Sequence, residues 1–280
     1  MTVKLTITQR QRLIELNAAE ALLEMDYPDT LERDKFYLDQ EKKLAKTNRE
    51  LLFDFMEHEH RPLAKILESR LIEWLTIQEG FAEMTTPLII SEQMLEKMSI
   101  GAGHPLAKQV FWLGENKCLR PMLAPNLYEM MRDIHKVTHD KVRIFESGPC
   151  FRKETQGAQH MNEFTMLNFV ELAGVAEGEQ MPRLENLARQ AMAAAGLEEY
   201  QLEMTESEVY GQTLDIVCGD LEIASGAYGP HPMDSRWGIF DPWVGLGIGI
   251  ERLAMAKAGY QNIKRVGRSV AYVNGARLNV

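Results

Sequence analysis

The chain has 280 residues, 45% of them apolar, enough to bury one large core or two small ones. No apolar run approaches the roughly 18 residues of a membrane helix, and a formal charge of −10 disfavours non-specific binding to polyanions. The cysteines Cys118, Cys150 and Cys218 are scattered and odd in number, which argues against a disulfide or cysteine-zinc framework and suits a reducing cytoplasm.

The opening MTVKLTITQRQRLIEL is polar and carries no apolar leader, so a cytoplasmic location and no membrane association are expected. Residues 1–60 read as helical and polar, with Thr8 and Gln11 spaced for a capping box. Two basic clusters stand out, EKKLAKTNR at 41–49 and NIKRVGR at 262–268. Pro62 suits a first helical turn, and Leu63, Ile66, Leu67, Leu71, Trp74 and Leu75 then share one apolar face that Gly80 ends. Beyond Gly80 the period changes. FAEMTTPLII reads as a strand interrupted by Pro87, and QVFWL with KCLRPML as a hairpin around Gly114, Glu115 and Asn116. Pro125 opens a short helix with Leu127, Met131 and Ile134 inward. KVRIFESGPCFRKE and EFTMLNFVEL are two further strands. RLENLARQAMAAAGL is a helix ending at Gly196, and LDIVCGDLEIASGA is a hairpin turning at Gly219 and Asp220. WVGLGIGIERLAMAKAG begins as a strand and continues as a helix stopped by Gly259. Hairpins dominate, so the expected fold is α+β: a mainly antiparallel sheet flanked by helices, with a helical N-terminal region.

Three stretches carry chemistry. In PCFRKETQGAQHMNEFTMLNF, Cys150, Arg152 and Glu154 share one strand face, and Phe164, Met166, Asn168 and Val170 share one on the next. A guanidinium inside a sheet needs an anionic partner; phosphate fits its paired donors, and an exposed Arg152–Glu154 pair is the alternative. In GLGIGIERL, Gly245, Gly247 and Gly249 leave one strand face bare, open to a flat ligand or to another backbone, and Arg252 follows in the first helical turn. The spacing is not that of a dinucleotide fingerprint, and no phosphate-binding Gly-Lys-Ser/Thr loop occurs. GFAEMTTPLI suggests an edge strand or an interface. His58 with His60, and His135 with His139, lack the carboxylate or cysteine company of a metal site.

In this order the three stretches resemble the signature motifs of class II aminoacyl-tRNA synthetases. The first runs from Gly80 to Pro87. The second comprises Phe151, Arg152, Glu154, His160 and Phe164, and the third Gly245, Gly247, Gly249, Glu251 and Arg252. CLRPMLAPNLY, RIFESGPCFRKE, HMNEFTMLNF, VYGQTLDI, GDLEIASGAYGP and PWVGLGIGIERL further resemble the catalytic domain of the pyrrolysyl-tRNA synthetase family, from about residue 60 to the end and more loosely before it.

The resemblance implies a helical, tRNA-facing extension over 1–60 and a class II catalytic domain over 61–280. There is no room for the separate N-terminal tRNA-binding domain of many members, so a stand-alone form is expected. It implies ATP-dependent charging of pyrrolysine tRNA with pyrrolysine through an aminoacyl-adenylate, acceptance of bulky Nε-acyl lysines, and a homodimer. Carried over residue by residue, Arg152 and Arg252 are catalytic. Arg152 holds the α-phosphate of ATP, Glu154 the adenine amino group, and His160 the outer phosphates. Phe164 and Arg252 stack on the two adenine faces, with Gly247 and Gly249 in the floor beneath. Glu222 and Ser225 bind Mg²⁺. Being three apart they would face opposite sides of a regular strand, so a bulge or strand end near 224–226 is required. The loop through Gln156 and Gly157 lies near the tRNA end. No general base is evident for transfer to tRNA, which leaves positioning and the phosphate itself.

For the amino acid, the resemblance implies an apolar slot of Ala124, Leu127, Tyr128, Met131, Val170 and Trp243, with Ala124 leaving room. Asn168 meets a substrate amide carbonyl and Tyr210 closes over the ligand. Val170 departs from the cysteine of some relatives, which changes pocket width and substrate range. A silent paralogue would ordinarily have lost one of Arg152, Glu154, Glu222, Ser225 or Arg252, and all are present. Another class II substrate is disfavoured by Asn168 and the apolar slot.

Overall fold

The structure, a computed structural model, describes residues 2–280 other than Thr155, Gln156 and Glu208. It contains two compact units, residues 1–63 with 264–280, and residues 64–263. Among the described residues, no helix is long and apolar enough to cross a membrane.

The first unit holds α1 (Ile7–Glu15), α2 (Glu20–Leu23) and α3 (Thr30–Asp54), with a short hairpin of Tyr272–Val273 and Ala276–Arg277. The capping box forms at Thr6 and Gln9, not at Thr8 and Gln11: Thr6 Oγ1 accepts from the Gln9 N–H at 3.2 Å, and Gln9 Oε1 from the Thr6 N–H at 3.0 Å. Both pairs have the same spacing. The earlier one wins because Val3 bridges Tyr27 and buries Leu5 beside Leu13, so the extended chain ends just ahead of Thr6. Buried Asn48 ties the unit together, donating to the Leu16 and Leu44 carbonyls and accepting from the Arg277 N–H. Of the two basic clusters, Lys42, Lys43, Lys46 and Arg49 are exposed on α3. Arg265 is structural instead: it is 2% exposed, donates to the Gly275 and Glu15 carbonyls, and lies over Tyr272.

The second unit begins at α4 (Leu63–Glu73), which buries Leu67 and Leu71 and continues into a π-turn burying Trp74 and Leu75. Gly80 follows at φ +70°, then β1 (Ala82–Glu83), β2 (Ile89–Ser91) and α5 (Glu92–Lys97). The predicted hairpin is β3 (Trp112–Gly114) with β4 (Lys117–Leu119), and β4 also pairs β2 in a separate three-stranded sheet. After α6 (Ala124–Thr138) come β5 (Val142–Phe151), β6 (Glu163–Leu172), α7 (Gln180–Ala195), β7 (Gln201–Ser207), β8 (Gly211–Cys218), β9 (Leu221–Gly229), β10 (Trp243–Gly249) and α8 (Ile250–Ala258). The main sheet has the order β1-β5-β6-β10-β9-β8-β7, antiparallel except for the short β1–β5 pair. This is the expected α+β fold. Strand β7 is the element that the sequence pattern hides. QLEMTES carries two glutamates at an edge, and most of its side chains stay exposed.

One buried ion pair joins the two sheets. Arg120 and Glu146 are 1% and 2% exposed, with Nη1 and Oε1 2.6 Å apart. Thr86 donates its hydroxyl to Glu146 Oε2 at 2.6 Å, and Arg120 Nε donates to the Pro149 carbonyl at 2.9 Å. Asn126, in the first turn of α6, donates to Thr86 Oγ1 and to the Pro87 carbonyl. Such a pair is tolerated when further hydrogen bonds support it, and here Glu146 Oε1 also accepts from the Thr86 N–H at 3.2 Å and Arg120 Nη1 donates to Thr86 Oγ1 at 3.0 Å. Glu146→Ala strands a buried guanidinium and is expected to lower unfolding free energy by about 3–5 kcal/mol in urea titrations; a loss under about 1 kcal/mol would fit an exposed pair instead.

Candidate active site

Strands β5 and β6 pair over their whole length, from Val142 opposite Leu172 to Phe151 opposite Glu163. Asn162 prolongs the hairpin: its carbonyl accepts from the Arg152 N–H at 3.0 Å, and its Oδ1 from the Glu154 N–H at 3.1 Å. Arg152 and Glu154 thus stand just beyond the strand end, at the rim of a cavity of about 340 Å³. His160, Phe164 and Asn168 line the same cavity, as do Glu222, Ser225, Gly247, Gly249 and Arg252. Gln156 lies outside the described residues.

Arg152 is half-buried. Its Nε donates to the Pro121 carbonyl at 2.9 Å, and its Cζ lies 5.4 Å from the Phe164 ring centroid. Burial pushes its pKa down from the usual arginine range, while Glu154 and Glu222 oppose that shift. A guanidinium stays charged under such a shift, so the cavity wall carries a fixed cation. Arg252 donates to the Glu222 carbonyl at 3.0 Å, to Glu222 Oε1 at 3.3 Å and to His160 Nε2 at 3.1 Å. Glu251 is buried and accepts from the Thr165 N–H at 2.8 Å, which fixes α8 against β6.

The geometric demand at Glu222 and Ser225 is met by a bulge. Ile216 pairs Ala224 and Val217 pairs Glu222, leaving Ile223 as the extra residue. Both oxygen-bearing side chains therefore border one cavity. One carboxylate and one hydroxyl fit Mg²⁺, which keeps several waters and shares phosphate oxygens. Among the described residues no cluster of three or more His, Cys, Asp or Glu could hold a metal. His58 pairs with Asp54, and His135 with Asp241 and, through Nδ1, with the Asp140 carbonyl at 2.8 Å. Burial pushes the Cys118 thiol up to about 11 and the Cys150 thiol up to about 12, which disfavours the thiolate form of both.

A second cavity of about 60 Å³ adjoins the first. Helix α6 contributes Ala124, Tyr128 and Met131, strand β6 contributes Asn168 and Val170, and Tyr210 and Trp243 join them, which brings together the predicted set apart from Leu127. Ala124, Asn168, Tyr210, Ser225, Ala227 and Gly247 border both cavities, so the two are continuous. Leu127 is fully buried in the core and borders neither. Asn168 donates one N–H to the Leu246 carbonyl at 3.2 Å, and its amide carries a second. Sequence reasoning missed Asp234, which holds Tyr128 and Trp243 from behind. Its only signal was the capping-box spacing from His231 in HPMD, ahead of the turn Pro232–Trp237. Leu106, Met122, Met166 and Val209 also line the larger cavity.

An antiparallel sheet with an arginine-bearing hairpin, a glycine strand entering a helix, and a bulged acidic strand around one cavity define a class II aminoacyl-tRNA synthetase core. Residues 46–274 match the family model described as tRNA synthetases class II core domain (F). Two solved structures are similar over nearly the whole chain, both of pyrrolysyl-tRNA synthetase from Desulfitobacterium hafniense. One, of PylSc, has a TM-score of 0.91 and 48% identity, covering 100% of this chain and 96% of that one. The other has a TM-score of 0.91 and 49% identity, covering 98% of each. The chain belongs to the pyrrolysyl-tRNA synthetase family of class II synthetases. More distant are the O-phosphoserine--tRNA(Cys) ligases of Methanocorpusculum labreanum, 27% identical over 144 residues, and Methanoculleus marisnigri, 25% over 162. The matches cover 47% and 53% of this chain, which spans only 26% and 29% of the length of those two relatives.

Gly247 is the junction of the two cavities. A Cβ there would lie 2.9 Å from Asn168 Oδ1 and 3.1 Å from Met166 Cε, both ends of adjustable side chains. Gly247→Ala is therefore expected to keep its melting temperature within about 3 °C while binding an aminoacyl-adenylate analogue about tenfold or more weakly. Unchanged affinity by calorimetry would mean that no ligand crosses this junction.

Proposed function

We propose that the chain activates pyrrolysine with ATP and transfers it to a pyrrolysine tRNA. The observation that carries this reading is the join between the cavity holding Arg152 and Arg252 and the apolar cavity holding Asn168. In the first half-reaction the amino-acid carboxylate attacks the α-phosphate and pyrophosphate leaves. Arg152, a fixed cation at the cavity wall, stabilises the charge that develops there. Glu154 accepts from the adenine amino group, and Phe164 and Arg252 flank the ring over Gly247 and Gly249, with cation–π character on the arginine side. His160 meets the outer phosphates. Glu222 and Ser225 would hold Mg²⁺, which supplies charge neutralisation along the phosphates. In the second half-reaction a terminal ribose hydroxyl of tRNA attacks the adenylate carbonyl and AMP leaves. Among the described residues lining the cavity none stands out as a general base, so positioning carries that step.

The amino-acid side chain occupies the smaller cavity. The free N–H of Asn168 meets its amide carbonyl, Tyr210 closes over it, and bulky Nε-acyl lysines enter by the same contacts. Residues 1–60 face the tRNA, with Lys42, Lys43, Lys46 and Arg49 as the basic footprint on that segment and residues 61–280 as the catalytic domain. A homodimer is supported by apolar side chains left exposed beside Pro87: Leu88, Ile89, Trp112 and Leu113. Three free thiols are in keeping with a cytoplasmic location.

Aminoacylation of a pyrrolysine tRNA by the purified protein tests the reading, and ATP–pyrophosphate exchange isolates its first step. Exchange is expected with pyrrolysine or an Nε-acyl lysine; absence with every such lysine would refute the substrate. Arg152→Ala is expected to reduce exchange about 10²–10³-fold without unfolding, and undiminished exchange would remove Arg152 from the reaction. Exchanging Lys42, Lys43, Lys46 and Arg49 for glutamine should weaken tRNA binding and flatten its salt dependence, with exchange unaffected. An unaltered salt slope would place the tRNA elsewhere.

A further inference from the structure

The smaller cavity is backed by a carboxylate that no sequence motif assigns. Asp234 is 0% exposed. Its Oδ1 accepts from the Tyr128 hydroxyl at 2.9 Å, and its Oδ2 from Trp243 Nε1–H at 2.7 Å and the His231 N–H at 2.6 Å. All three donors are uncharged, and two of them, Tyr128 and Trp243, are cavity walls. Gly229, opposite Trp243 in the β9–β10 ladder, leaves the space: a Cβ there would lie 2.5 Å from Asp234 Oδ2 and overlap the indole nitrogen.

A carboxylate only accepts, so the order of protons is fixed. The Tyr128 proton is committed to Asp234, and on its remaining side the Tyr128 oxygen offers lone pairs alone. The charge behind the wall is also felt beyond it. Burial first, and then the charge of Asp234, push the Tyr210 hydroxyl well above its usual pKa. In a low-dielectric pocket such a charge acts over several ångströms.

We infer that Asp234 keeps the closed end of the amino-acid cavity electronegative and hydrogen-bond accepting, so that it favours side chains tipped with an N–H donor or a cation and rejects those tipped with a carboxylate or phosphate. Asp234 is a positioning residue that acts through Tyr128 and Trp243. The inference rests on the amino-acid reading of this cavity. A merely structural Asp234 would hold the same walls with no regard for the charge of the ligand, so ligand polarity is the readout.

Three lysines that share one acyl arm supply it: Nε-β-alanyl-lysine, ending in an ammonium, Nε-succinyl-lysine, ending in the larger carboxylate, and neutral Nε-butyryl-lysine. Dissociation constants are measured by calorimetry on the full chain with a non-hydrolysable ATP analogue present. The β-alanyl form is expected to bind at least about tenfold tighter than the succinyl form, which corresponds to ~1.4 kcal/mol. In Asp234→Asn, the amide oxygen still accepts from Trp243 and His231 while the amide N–H₂ donates to Tyr128, releasing the Tyr128 proton toward the cavity. The preference should then fall about tenfold or reverse, with affinity for the ATP analogue alone unchanged. An unaltered preference in folded Asp234→Asn overturns the inference. The wild-type ratio stands independently of whether that variant folds, and equal or tighter binding of the succinyl form overturns it too. Failure of butyryl-lysine to bind would instead remove the amino-acid reading beneath it.

Discussion

The Arg120–Glu146 pair is the contact on which the site depends. Two opposite charges buried together gain little over a well-packed apolar pair, but removing either one is costly, because the survivor has no water to turn to. The pair therefore acts as a clamp. It draws the Thr86–Pro87 segment, the end of β4, the start of α6 and the middle of β5 to one point. The Arg120 carbonyl accepts from the Phe151 N–H at 3.0 Å, and the next carbonyl, that of Pro121, accepts from Arg152 Nε–H. Arg152 is thus oriented by the residue after the clamp, and Ala124, at the mouth of both cavities, follows within the same short connection. Gly148 belongs to this arrangement, since a Cβ there would overlap the Arg120 guanidinium.

From that clamp the division of labour runs along β6. Its alternate residues Phe164, Met166, Asn168 and Val170 face the cavities in order, the first three bordering the larger and the last two the smaller. On the proposed reading, period-two geometry lets one strand serve two ligands that meet at a single phosphorus atom. Strand β10 lies beside it with Gly245 opposite Val170 and Gly247 opposite Asn168. Side chains on those glycines would take the volume the β6 residues look into. On the proposed reading the bare face leaves space for ligand, although Gly245 also sits close to the Phe169 carbonyl.

Much of this was legible in the sequence because it depends on short-range period and spacing. The hairpins, the glycine-terminated helices and the shared face of β6 are all local patterns. Even the bulge in β9 was required by Glu222 and Ser225 being three apart, although its extra residue is Ile223, just ahead of the 224–226 stretch. What stayed hidden depends on long-range partners. Asp234 reaches Tyr128 across 106 positions, and no window contains both. Arg120 had no local reason to be buried until Glu146 stood opposite it. Strand β7 is an edge whose pairing is supplied wholly by β8. Arg265, in an apparently basic surface run, proved to be a buried support for the C-terminal hairpin.

Two of the arginine–glutamate pairs of this unit, Arg120–Glu146 and Arg252–Glu222, differ in a way that bears on the proposed turnover. Arg120–Glu146 is sealed, whereas in Arg252–Glu222 the side chains are 25% and 51% exposed and their charged atoms 3.3 Å apart. An exposed pair at that separation is worth about 0–1 kcal/mol, because water replaces each partner at almost no cost. On the proposed reading, Arg252 and Glu222 can therefore part when phosphate and a divalent cation offer stronger contacts, and can re-form when pyrophosphate leaves. A sealed pair at that position would have to be broken at several kcal/mol in every cycle. The fold places its irreversible electrostatics in the scaffold and its exchangeable electrostatics at the cavity mouth, so the site adjusts while the backbone that aims Arg152 stays fixed.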